Sequence, residues 1–104
     1  MGNKSSKIRP PPVLINNTTN LHIRVKTQDG KLYRIKGDSS IFITIPSSSV
    51  LVIEHDVENK ESQYNRLPIK DLIIQVKAET HIIKISPFIS ISPMSYSLVA
   101  EQQF

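Results

Sequence analysis

The chain has no cysteine and no tryptophan, and only three of its 104 residues are glycine. Without cysteine there are no disulfides, no thiolate zinc sites and no cysteine nucleophiles. Small extracellular domains usually depend on disulfide staples, so a reducing compartment is expected. Neither G-x-x-x-x-G-K-[ST] nor G-x-G-x-x-G occurs, which removes the common phosphate-cradling loops. No apolar run approaches the roughly 20 residues of a membrane-spanning helix, and the polar start Met1–Lys7 does not read as a signal peptide. The expected setting is the cytoplasm, at the cytosolic face of a membrane.

Acidic residues are nearly missing from the first third. Residues 1–36 hold Lys4, Lys7, Arg9, Arg24, Lys26, Lys31, Arg34 and Lys36 against Asp29 alone, whereas the remainder is mildly acidic. The net charge of +4 is therefore unevenly spread, which points to a basic surface meeting a negative partner, with the acidic remainder facing away. Ordinary solubilising lysines are the plainer alternative.

What the sequence has in quantity is β-branched residues with a period of two. Leu21, Ile23 and Val25 alternate with His22, Arg24 and Lys26; Ile41, Ile43 and Ile45 alternate with Phe42 and Thr44. Val50–Ile53 is a continuous apolar run, and Leu72–Val76, His81–Ile85, Phe88–Ser92 and Tyr96–Ala100 complete the set. Turn residues separate these runs at Asn16–Asn20, Gln28–Gly30, Gly37–Ser40, Pro46–Ser49, His55–Pro68, Ala78–Thr80, Pro87 and Pro93. No window keeps a helical stripe. The pattern predicts an all-β fold, a small antiparallel β-sandwich or barrel of about eight short strands over residues 13–104. Residues 1–12 form a flexible basic tail, closed by the stiff joint Pro10-Pro11-Pro12.

The first hairpin has a predictable register. A three-residue loop Gln28-Asp29-Gly30, with Gly30 left-handed, sets Val25 opposite Tyr33, Ile23 opposite Ile35 and Arg24 opposite Arg34. A two-residue loop would put Val25 opposite Arg34 and spoil the apolar face. The preferred register gathers His22, Arg24, Lys26, Arg34 and Lys36 on the outer face. The Arg24–Arg34 pair sets like charges side by side, an arrangement that costs stability and calls for a reason or for screening by water.

The sharpest motif is the start itself. Met1-Gly2-Asn3-Lys4-Ser5-Ser6 fits M-G-x-x-x-[ST], with Gly2 as the acceptor amine and Ser6 at the required place. Chance supplies this match in roughly 1% of chains, from the usual glycine and hydroxyl frequencies. The start resembles the N-terminal signal of many eukaryotic and viral myristoylated proteins, and the resemblance covers about seven residues. It implies covalent myristate at Gly2. One such chain binds membranes with an association constant on the order of 10⁴ M⁻¹, so a second signal is required. Lys4, Lys7 and Arg9, then Arg24, Lys26, Arg34 and Lys36, are the candidates for an anionic leaflet.

Other chemistries find less footing. His22, His55 and His81 lie on separate elements without metal-ligand spacing, and Glu54-His55-Asp56-Val57-Glu58 reads as a solvated turn. Ser47-Ser48-Ser49 beside Pro46 is a turn rather than a positioned nucleophile. Asn16-Asn17-Thr18 and Asn17-Thr18-Thr19 read as turn residues. No catalytic residue, metal or cofactor beyond the myristate is expected, and the chain is read as no enzyme. The leading expectation is a myristoylated peripheral membrane protein that serves as a structural or adaptor module, of viral matrix-like or cellular kind, with a protein partner or a second copy on its remaining surface. The alternatives are a nucleic-acid-binding module using the first hairpin, and an effector that binds a partner through a sheet edge.

Overall fold

The computed structural model describes residues 11–56, 69–91 and 94–104, and in residues 89–91 and 94–95 the backbone alone. Eight strands are formed: β1 (Pro12–Asn17), β2 (Ile23–Lys26), β3 (Leu32–Ile35), β4 (Ser39–Thr44), β5 (Val50–His55), β6 (Leu72–Gln75), β7 (Ile82–Ile91) and β8 (Met94–Gln103). They make two four-stranded sheets, sheet A in the order β4-β1-β7-β8 and sheet B in the order β3-β2-β5-β6. The all-β expectation holds, with the sandwich realised rather than the closed barrel.

The period of two decides which side chains meet between the sheets. Val13 and Ile15 from β1, Ile43 from β4, and Ile83 and Ile85 from β7 point inward from sheet A. Ile23, Val25, Ile35, Leu51 and Ile53 point inward from sheet B. All ten are buried, and each contributes roughly 1.5–3 kcal/mol relative to exposure. Ile is favoured because its branched Cβ suits a pleated, buried surface. Tyr33 packs partly buried against this core, as the hairpin register requires.

That register is observed residue for residue: Ile23 faces Ile35, Arg24 faces Arg34 and Val25 faces Tyr33. Thr27 and Lys31 close the three-residue loop with a 2.9 Å backbone bond, and Gly30 takes φ +92°. Next to it, the Thr27 hydroxyl donates to the Asp29 carboxylate and accepts from the Lys31 N–H.

Several expected breaks are strand instead. Ser39 and Ser40 open β4, since pairing with Asn17 and Asn16 of β1 extends the ladder past the apolar alternation. Pro87 lies inside β7 opposite Leu98. Beyond Ile85, β7 pairs on one side only among the described residues, and a missing N–H is tolerated in such an edge segment. One pair is not antiparallel: β1 runs parallel to β7, with Leu14 beside Ile82 and Asn17 beside Ile85.

Asn17 is not a surface turn residue. It is fully buried, its Nδ2 donates to the carbonyls of Leu21 (2.7 Å) and Lys36 (3.0 Å), and its Oδ1 accepts from the Thr19 hydroxyl at 2.6 Å. One side chain thus ties the end of β1 to the start of β2 and the end of β3. Gly37 passes so close to Asn20 that a Cβ there would sit 2.7 Å from the Asn20 carbonyl carbon.

Candidate functional site

The outer face of sheet B carries the charged side chains singled out in the sequence. Arg24 lies between Arg34 of β3 and Glu54 of β5, because β2 pairs with both neighbours in register. Glu54 resolves the conflict between the two arginines. It sits 3.1 Å from Arg24 Nη2 and 2.8 Å from Lys26 Nζ. Arg34 Nε lies 4.0 Å from the Asp56 carboxylate. Arg24 keeps only 16% of its side chain exposed, against 54% for Lys26 and 55% for Arg34. The face is therefore a compensated ladder rather than a uniformly basic patch, with Lys26, Arg34 and Lys36 as its exposed cations.

The acidic half of the sequence does not simply face away. β5 delivers Glu54 into the basic face and Asp56 follows directly after its end, so Glu54-His55 belongs to a strand instead of a solvated turn. His55 and Asp56 are buried, and the Asp56 N–H donates to the His22 carbonyl at 2.8 Å. Val57 and Glu58, the rest of that acidic cluster, lie outside the described residues. The Lys26 ammonium, bonded to Glu54 and helped by Arg24, holds the Glu54 carboxyl below its usual range. Burial pushes the His55 imidazole down, against an opposing pull from Asp56. The His22 ring accepts the Gly37 N–H on Nδ1 at 3.2 Å, which braces the end of the hairpin.

Gly2, Lys4, Ser6, Lys7 and Arg9 lie outside the described residues, but the point where that tail joins the domain is placed. Pro11 and Val13 line a cleft of about 210 Å³ between the sheet ends, shared with Ile45, Val76 and Lys77. Ile45 also lines a second cleft of about 320 Å³ under the hairpin turn, with Thr27, Gln28 and Asp29. Tail exit and hairpin turn thus occupy the same end of the sandwich. Lys26 stands near that end, whereas Arg34 and Lys36 lie progressively further from it at about 3.3 Å per residue. Lys31 and Lys77 also belong to the exit end. Sequence reading did not select them as site residues, because nothing local to either shows that β1, the first hairpin and the turn after β6 share one end.

The outer face of sheet A differs. Phe42, Leu14 and Ile82 form one row across β4, β1 and β7, and Phe42 is 69% exposed. Its charges in register are Lys84 opposite Glu101. At the far edge, Gln102 of β8 donates to the Gln75 carbonyl (2.9 Å) and accepts from the Lys77 N–H (2.8 Å), which ties sheet A to β6 of sheet B.

Among the described residues no three His, Asp or Glu side chains converge as a metal site, and no helix is long and apolar enough to cross a membrane. No family model, curated protein or solved structure matches the chain.

Proposed function

We propose that the protein is a non-enzymatic, N-myristoylated peripheral membrane protein that acts as a structural or adaptor module. The observation that carries this reading is the hexapeptide Met1–Ser6, with Gly2 and Ser6 at the two positions the acylation signal demands. The position of Pro11 supports it. Pro11, the first described residue, lies at the end that also presents Lys26, Lys31 and Lys77, so an acyl group on the residues before it would start from the same end as these cations.

The compensated ladder changes which cations matter. Arg24 is held by Glu54 and mostly covered, so it orders the sheet rather than meeting headgroups. Lys4, Lys7 and Arg9 of the tail, then Lys26 and Lys31, contribute about 1 kcal/mol each at an anionic leaflet. The nucleic-acid reading has less support, since the hairpin's aromatic ring, Tyr33, packs against the core rather than standing among its cations.

The test is intact mass of the protein produced with a eukaryotic acylation system, followed by flotation with phosphatidylserine vesicles. Loss of Met1 and gain of one myristoyl group are expected. Gly2→Ala should abolish the mass gain and reduce vesicle binding by tenfold or more, about the worth of the acyl anchor beyond charge. An unmodified Gly2 would remove the reading at its root.

A further inference from the structure

We infer that β4 is the seam of a symmetric dimer, pairing with β4 of a second copy across a two-fold axis at Phe42 so that sheet A continues as eight strands. This inference stands whether or not Gly2 is acylated.

The outer strands β3, β4, β6 and β8 are not alike, and the edge segment of β7 beyond Ile85 is interrupted by Pro87, which has no N–H to offer. β3 contains Arg34 and is flanked by Lys31 and Lys36, charges that oppose strand addition. β6 and β8 are tied to each other by Gln102. β4 has neither protection. Ser39–Ile45 contains no charge, no glycine and no proline, and among the described residues β4 pairs with β1 alone. An uncharged, largely β-branched edge of this kind presents an open row of N–H and C=O groups.

The occupant is read from the strand itself. Ser40-Ile41-Phe42-Ile43-Thr44 is chemically palindromic about Phe42. An antiparallel two-fold pairing centred there sets Phe42 opposite Phe42, Ile41 opposite Ile43 and Ser40 opposite Thr44. Aromatic pairs and Ser–Thr pairs are among the favourable cross-strand combinations. Ser40, Phe42 and Thr44 lie on the outer face, Ile41 and Ile43 on the inner face, so every match preserves both faces. Asp38 and Pro46 bound the run symmetrically, four residues from its centre. Each chain carries +4, so two copies repel over most approaches and least along this uncharged edge. The pairing also extends the apolar row Phe42, Leu14 and Ile82 across the axis, giving the exposed Phe42 a ring to pack on.

The test is sedimentation equilibrium of the full chain over roughly 1–500 µM, the range expected for a single strand-pair seam. A reversible monomer–dimer equilibrium is expected. Phe42→Lys should weaken it by tenfold or more with unchanged far-ultraviolet circular dichroism, while Ile73→Lys, equally exposed on β6, should leave it alone. Because the chain has no cysteine, single replacements report the register. With oxidised glutathione as oxidant, Phe42→Cys should form a covalent dimer with itself. Ser40→Cys and Thr44→Cys should cross-link only when mixed. A chain monomeric throughout that range, association that survives Phe42→Lys, or Ser40→Cys linking to itself would each overturn the seam.

Discussion

The two sheets are nearly interchangeable on the inside and unlike on the outside. Inward, each presents aliphatic side chains at alternate positions, and Ile15 of sheet A is as fully buried as Ile53 of sheet B. Outward, sheet B sets Arg34, Arg24 and Glu54 in one cross-strand row, whereas the corresponding surface of sheet A offers Phe42, Leu14 and Ile82. Burial constrains the first set of residues, because any sandwich needs it. The second set is free of that demand, so its divergence carries the information about what each face meets.

The inner equivalence can be broken directly. Ile15→Ala and Ile53→Ala should each cost about 3 kcal/mol in urea unfolding, from lost transfer energy and the cavity left behind. A loss confined to one of them would mean that one sheet is carried by the other.

The next distinction is in pH. The buried polar side chain of sheet A is Asn17, which does not titrate, whereas sheet B buries His55. Burial depresses the His55 pKa, so the unfolded chain takes up this proton first as the pH falls. The stability associated with neutral His55 is complete above about pH 6.5 and declines below it, by at most about 1.4 kcal/mol per pH unit until the depressed value is passed. His55→Gln should flatten that limb of the unfolding profile. A slope unchanged by the substitution would place the titrating group elsewhere.

The smallest effect concerns the charged row. Glu54 has a depressed pKa, so its contribution is present above the usual carboxylate range and disappears as the pH falls through the folded value. Glu54→Gln should reduce acid sensitivity below about pH 4.5, and near neutrality it should strengthen binding to anionic vesicles a few-fold by uncovering Lys26. Weaker vesicle binding would show that Glu54 matters by positioning the cations rather than by neutralising them.

Local pattern explains what was legible in the sequence. The Ile23–Ile35 register followed from the need to keep one face apolar across a short loop, and it is observed. Glu54 beside Arg24 is a different case. It depends on β5 pairing with β2 from 30 residues away, and no short-range signal specifies that neighbour. Pro87 and Ser39-Ser40 were misread for a related reason. Turn propensity describes a residue in isolation, whereas an edge position or a partner strand decides whether the ladder passes through it. Asn17 looked like turn material because nothing around it in sequence announces three strands converging on its amide.

The parallel pairing of β1 with β7 sets an order of events. Leu14 finds Ile82 only after roughly 70 further residues have been made, which at about 5–20 residues per second is a wait of several seconds. Through that interval the first strand lacks its central neighbour, and a sheet with such distant pairings assembles slowly once it starts. An enzyme acting on residue 2 during synthesis would therefore meet it on a domain that is not yet built. A group added to Gly2 during synthesis would be in place before the sandwich first closes, and the fold would form with it.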